Sequence, residues 1–241
     1  MSWKENFRNG TRVLIAEECP FFTKGLERIL SQGPGFELIG SVPSTEEGIR
    51  IGLAGRPDVM ILGVGSSHVD LMARVKGVLA KLPGVVLVLI TGPGDAPWES
   101  RLLRLGVRAI LRRDCTDKDL LEAIDEARAG RLFLDARVSS GMLGYLMSPR
   151  AGVDSTMRRL SDRELQILEL LADGVTPGGI GLRLQLAPRT VSAHLAKMHR
   201  KLEVASTQAL IVYAVRWRCG NGDAVNRGPE LVDLGRERRV A

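Results

Sequence analysis

Residues 188–202, PRTVSAHLAKMHRKL, combine side-chain types whose spacing suits contact with a polyanion. Val191, Leu195, Met198 and Leu202 recur at helical spacing and form one apolar stripe that must face a core. Projected at roughly 100° per residue, the opposite face carries Arg189, Ala193, Ala196, Lys197 and Arg200, with Ser192 and Lys201 on its flanks. Small side chains let a helix sink into a groove about 12 Å wide while neighbouring cations meet phosphates. The same charges also suit an ordinary solvated helix face, and charge alone does not choose between the two. Other reactive residues are sparse. His194 borders the stripe, where packing or a phosphate contact is its expected role, and His68 and His199 lack spaced Cys, Asp or His companions for a metal. Cys19, Cys115 and Cys219 are an odd, widely separated set without CxxC spacing, which favours reduced thiols over disulfides or zinc. No Ser/His/Asp or Cys/His arrangement suggests catalysis, so the expectation is a protein that is not an enzyme.

The elements that position these residues fall into two blocks. With 241 residues, 44% of them hydrophobic, the chain has material for two cores, and its net charge of +6 favours a polyanionic partner. The charged N-terminus lacks the apolar core of a signal peptide, and no stretch reaches the roughly 18 apolar residues of a membrane span; a cytoplasmic, nucleoid-associated protein with no membrane contact is expected. In the first half, short apolar runs alternate with amphipathic segments, as parallel strands covered by helices do. Strands are predicted at 12–16, 36–41, 58–62, 85–90 and 108–111, with helices starting at Pro20, Thr45, Asp70, Ala96 and Thr116. Pro20 suits a first helical position, Thr116 with Asp119 reads as a capping box, and Gly106 stops the fourth helix. Between 135 and 156, Ser, Gly, Pro and Met accumulate, which reads as a linker with a short helix around Met142 to Met147. A helical block then spans 157–219. Its first helix opens on the Ser161/Glu164 capping box and ends at Gly174, and others start at Thr176 and Pro177, at Pro188 and near Ser206. Residues 220–241 have no period and read as a disordered tail, leaving 11–134 as the α/β block.

The ordered string LSDRELQILELLADGVTPGGIGLRLQLAPRTVSAHLAKMHRKLEVASTQAL resembles the LuxR-type helix-turn-helix of the NarL/FixJ family over about 60 residues. The resemblance rests on the LSxRExxILxLLAxG opening, the Ile180 and Leu184 spacing, RTVSxHLxxMxxKL and an alanine-containing fourth helix. It implies an all-α four-helix domain whose third helix enters the major groove of double-stranded DNA and whose last helix pairs two subunits. Carried over by position, base-edge contacts fall on Ser192, Ala193 and Ala196, and phosphate contacts on Arg189, Thr190, Lys197, Arg200 and Lys201. The family commonly has lysine at two of the base-facing positions, and Ser192 and Ala196 cannot make bidentate purine contacts, so DNA shape and thymine methyls gain weight in readout. Gly178, Gly179 and Gly181 in the supporting helix, and Ala187 where a serine cap is usual, are further departures.

The first block, through TRVLIAEECPFFTKGLERIL, RPDVMILGV, VLVLITG and LGVRAILRRDCTDKDLLEAI, resembles a response-regulator receiver. That implies a flavodoxin-like, doubly wound α/β fold of five parallel strands in the order 2-1-3-4-5, with its site at the carboxyl ends of the strands. Receivers place there an acidic pair for Mg²⁺, an aspartate nucleophile, a hydroxyl and a lysine. Here the acidic pair is Glu17 and Glu18 and the hydroxyl is Thr91, but Gly63 stands at the nucleophile's place and Arg113 at the lysine's. Aspartyl phosphorylation at a glycine is chemically impossible, and an arginine is expected to neutralise Glu17 or Glu18 in place of a metal. Ser66 and Ser67 are poor substitutes as acceptors. The expected roles of such a domain are dimerisation and packing first, docking of a small molecule at the vacated strand ends second, and redox sensing by Cys19 and Cys115 last. The reading is therefore an atypical response regulator: a transcription regulator binding DNA as a homodimer, or as a heterodimer with a related regulator, without phosphotransfer and without a cofactor. The alternative is an interaction protein that binds DNA weakly and modulates such a relative.

Overall fold

The β-branched and leucine-rich runs VLIA, VMIL and VLVLI form three central strands of a parallel sheet, where burial on both faces removes any need for polar alternation. The computed structural model describes residues 10–65, 70–92, 96–147, 157 and 159–218. The strands are β1 (Thr11–Ala16), β2 (Phe36–Val42), β3 (Val59–Gly63), β4 (Val86–Thr91), β5 (Ala109–Arg112) and β6 (Phe133–Leu134), in the order β2-β1-β3-β4-β5-β6. Helices α1 (Pro20–Gln32), α2 (Thr45–Gly55), α3 (Leu71–Lys81), α4 (Ala96–Arg104) and α5 (Asp117–Arg128) connect them. Because alternate strand residues point to opposite faces, Val13, Ile15, Val59, Ile61, Val88 and Ile90 pack with α1 and α5. Leu14, Met60, Leu62, Leu87 and Leu89 pack with α3 and α4 on the other face. Parallel register aligns Ala16 with Leu62, Gly63 with Ile90 and Thr91 with Arg112, so the residues that follow these strands share one edge.

The helical block comprises α7 (Asp162–Ala172), α8 (Pro177–Arg183), α9 (Pro188–Leu202) and α10 (Thr207–Arg218). Local chemistry sets its boundaries. Ser161 accepts from the Glu164 N–H while the Glu164 carboxylate accepts from the Ser161 N–H, and Thr176 accepts from Gly179. Gly174 adopts φ +73°, the left-handed conformation that ends α7 without a Cβ penalty. The Thr116/Asp119 capping box forms as its sequence predicts.

Two expectations need correction. The sheet has a sixth, two-residue strand, β6, because Phe133 and Leu134 pair with Ala109 and Ile110 at the edge. The segment read as a linker begins with a full helix, α6 (Ala136–Met147), rather than a short one around Met142. Its Ser and Gly content resembles a linker, but Val138 and Met142, four residues apart, are buried and α6 packs on α4. The buried carboxylate of Asp135 accepts from the N–H of Arg137 and Val138 at the start of α6, and from Arg112 N–H of β5 at 2.5 Å. The expectations for Ser66, Ser67, His68, Cys219 and the tail fall outside the described residues. Among the described residues no helix is long and apolar enough to cross a membrane.

Candidate nucleic-acid interface and the strand-end site

On α9 the expected stripe is buried: Val191, Leu195, Met198 and Leu202 face the block's core. The opposite face is exposed, and Arg189, Thr190, Ser192, Ala193, Ala196, Lys197 and Arg200 all lie on it. Cations Arg200 and Lys201 in the last turn also favour the negative end of the helix dipole. Lys201 departs from the phosphate role implied for it. It is turned inward, and its Nζ donates to the Glu164 carboxylate at 2.6 Å, so it ties α9 to α7. Burial alone would raise the Glu164 carboxyl, but the Lys201 ammonium and the Ser161 N–H together hold it below its ordinary value. His194 is half-buried at the same junction, its Nδ1 has no hydrogen-bond partner, and burial first of all keeps its ring neutral by lowering its pKa. Its partial burial at this junction fits the packing role expected for His194.

The supporting helix α8 is short and glycine-rich, yet it is held from outside. Arg163 of α7 donates to the Leu184 carbonyl at 2.5 Å and to Gln166 at 2.9 Å, which satisfies an orphan acceptor at the end of α8. Pro188 starts α9 although Ala187 makes no side-chain cap. The glycines are not equivalent. A Cβ at Gly181 would lie 3.0 Å from the Leu186 carbonyl oxygen, whereas one at Gly178 would meet nothing within 4 Å. Gly178→Ala is expected to stabilise the block by about 0.5 kcal/mol through backbone entropy, and Gly181→Ala to give no such gain. Thermal unfolding of the two variants side by side checks this.

At the strand ends of the α/β block, Arg113 replaces a site with a lock. Its Nη2 donates to both Glu17 carboxylate oxygens, at 3.2 and 3.0 Å, and to the Val64 carbonyl at 3.1 Å, while the guanidinium lies 4.9 Å from the centre of the Phe22 ring. The Cys19 N–H adds a third bond to Glu17, at 2.8 Å. The buried Glu17 carboxylate fills the volume that a side chain at residue 63 would take: a Cβ on Gly63 would stand 1.6 Å from Glu17 Oε2. Glu18 fills the corresponding space above Gly65, where a Cβ would lie 2.0 Å from its Oε1. Thr91 is buried, and its hydroxyl is engaged by the Glu99 carboxylate at 3.1 Å and the Leu111 carbonyl at 3.2 Å.

These residues do not fit a receiver's Mg²⁺. Glu17 has both oxygens on a guanidinium, Gly63 supplies no ligand, and no group of three or more His, Cys, Asp or Glu is placed for a metal among the described residues. Cys115 is a poor redox candidate, because burial, helped by Asp119 and Asp135, pushes its thiol up to about 11 and keeps it protonated. Cys19 is exposed.

Residue types and spacing missed the contact between the blocks. Trp98 of α4 donates its Nε1–H to Glu169 of α7 at 2.7 Å, and Arg101 donates to Asp162 at 2.8 Å and to the Leu160 carbonyl at 2.6 Å. The one available signal was Glu169, a carboxylate inside the apolar run LQILELLA.

With this geometry established, comparison places the two blocks in a class: a receiver-like, CheY-type α/β fold followed by a LuxR-type helical domain. Residues 158–214 match the family described as bacterial regulatory proteins, luxR family. The chain is similar to the response regulator GacA of Pseudomonas aeruginosa, 23% identical over 205 residues covering 85% of this chain and 95% of the relative. It is also 25% identical over 195 residues to the nitrate/nitrite response regulator protein NarL of Escherichia coli, covering 80% and 90%. Among solved structures, RcsB from Salmonella enterica serovar Typhimurium, bound to promoter P1flhDC in the presence of phosphomimetic BeF3−, aligns with a TM-score of 0.65 at 23% identity, covering 86% of this chain and 98% of that one.

Proposed function

We propose that this chain is a DNA-binding transcription regulator of the response-regulator type that binds double-stranded DNA as a dimer and is not switched by aspartyl phosphorylation. The observation that carries the DNA reading is the exposed face of α9. Arg189, Lys197 and Arg200 flank the small residues Ser192, Ala193 and Ala196, while the stripe behind them is fixed in a core. Phosphate contacts are assigned to Arg189, Thr190, Lys197 and Arg200, and base-edge contacts to Ser192, Ala193 and Ala196. Lys201 is left out, since it holds α9 against α7, and His194 is left out because it is half-buried beside that junction. The half-exposed Val212 and Val215 on α10 favour pairing of two copies through that helix. Independence from phosphotransfer is supported by Gly63 and by the Glu17–Arg113 pair that fills its neighbourhood.

Titration of a labelled promoter duplex at several salt concentrations tests this reading. Lys197→Ala and Arg200→Ala are each expected to weaken binding about tenfold and to lower the slope of log K against log salt by about 1 for each phosphate no longer neutralised. Unchanged affinity and slope in both variants would overturn the assigned face. Incubation with a small-molecule phosphodonor is expected to leave no acid-labile phosphate on the protein.

A further inference from the structure

Helix α7 is buried on every side. Eight consecutive residues, Glu164 to Leu171, have almost no solvent contact, whereas a helix at the surface of a small bundle keeps a polar stripe. A bundle of this size cannot enclose one of its helices completely, and the missing cover comes from the α/β block. Trp98 and Leu102 of α4 and Val138 and Met142 of α6 belong to the same continuous apolar core as Met157, Leu160, Leu165 and Leu168. Polar contacts fix the register of this seam. The Trp98 N–H meets the Glu169 carboxylate with both residues 2% exposed or less. The Arg101 guanidinium, its side chain 11% exposed, reaches Asp162 and the Leu160 carbonyl. Buried bonds to a charged partner are stronger and more directional than neutral ones.

The seam also connects to the strand-end edge. Glu99 follows Trp98 in α4, and its carboxylate engages the Thr91 hydroxyl at the end of β4. The hydroxyl that a receiver would offer to a phosphoryl group is thus used to seat α4 on the sheet. The cationic face of α9 stays exposed while α7 is gripped.

We infer that α4 is a permanent clamp: through Trp98–Glu169 and Arg101–Asp162, anchored by Thr91–Glu99, it joins the two blocks into one folding unit with the α9 face turned outward. The outward orientation matters only if α9 reads DNA, so that part rests on the proposed function; the clamp itself does not.

Calorimetry of the full chain separates the two parts. The unaltered protein is expected to unfold in one cooperative transition. Arg101→Gln and Trp98→Phe, the second keeping an aromatic ring without the N–H, should release the helical block so that it melts roughly 4–8 °C ahead of the α/β block. Thr91→Val, remote from the seam and similar in volume, should produce a smaller separation of the same kind. Two resolved transitions in the unaltered chain, or single unshifted transitions in both seam variants, would overturn the clamp. An unshifted Thr91→Val would overturn its anchorage. Promoter affinity of Arg101→Gln, measured below its first transition, is expected within about twofold of the unaltered protein; a tenfold gain would show that the clamp hides the reading face and overturn the outward orientation. Failure of every variant, and of the unaltered chain, to bind DNA would sink the DNA reading and leave the calorimetric result standing.

Discussion

Gly63→Asp is expected to yield a less stable protein that still accepts no phosphoryl group. Restoring a carboxylate at the end of β3 looks, on residue types alone, like repair of a receiver. The geometry opposes it, because the new Cβ would fall 1.6 Å from Glu17 Oε2 and 2.6 Å from the Glu17 carboxyl carbon. A flexible side chain could swing away at little cost, but Glu17 is fully buried and held by Arg113 and the Cys19 N–H. Moving it breaks a desolvated ion pair and sets a third carboxylate beside Glu17 and Glu18. Loss of such a pair costs on the order of 3 kcal/mol, partly offset if Arg113 re-pairs with the introduced aspartate. Chemical denaturation measures that loss. Phosphodonor labelling is expected to stay at background, since the Thr91 hydroxyl remains engaged by Glu99 and Arg113 stands in the place of a receiver's lysine. A Gly63→Asp protein with undiminished stability and a stable acyl phosphate would show that the site is a dormant receiver.

That result would separate what could be read in the sequence from what could not. The three central strands were legible because both their faces are buried and their composition needs no context to interpret. Pro20, Thr116, Ser161 and Pro188 were legible because a cap is a local event. The stripe on α9 followed from its period, and Gly63 at the end of β3 and Arg113 after β5 from the resemblance to a receiver. What escaped depends on partners far away in the chain. Which of Glu17 and Glu18 would take Arg113 was left open, and it is Glu17, 96 residues distant, while Trp98 meets Glu169, 71 residues distant. Helix α6 was hidden by its serine and glycine content, since its stability comes from seating Val138 and Met142 against α4 rather than from its own propensity. Lys201 was misplaced for a related reason: it sits on the flank of the cationic face, where a rotation of one side chain decides between solvent and Glu164.

Lys201→Met is therefore expected to act on stability more than on the salt dependence of DNA binding, and to do so in a pH-dependent way. Glu164 is 2% exposed, so removing its ammonium partner leaves a buried carboxylate with only the Ser161 cap. Fully buried pairs lose about 3–5 kcal/mol on such truncation; Lys201 is one-third exposed, which trims the expectation to about 2 kcal/mol at pH 7. In the unaltered protein the Glu164 carboxyl is held below its ordinary 4.5, so its contribution is complete above that value and is lost as pH falls through the lowered one. In the variant, burial dominates and the carboxyl rises, so protonation relieves the unpaired charge. The difference between the two proteins should accordingly be largest near neutrality and shrink below about pH 4.5. His194 adds a second window common to both, because its ring is kept below the ordinary 6.5 by burial: acidification below 6.5 protonates the unfolded chain first and weakens the junction of α7 and α9. Urea unfolding across this pH range checks both statements. A constant gap between the two proteins down to pH 4 would show that Lys201 contributes packing alone, and would return it to the set of cations free to meet phosphate.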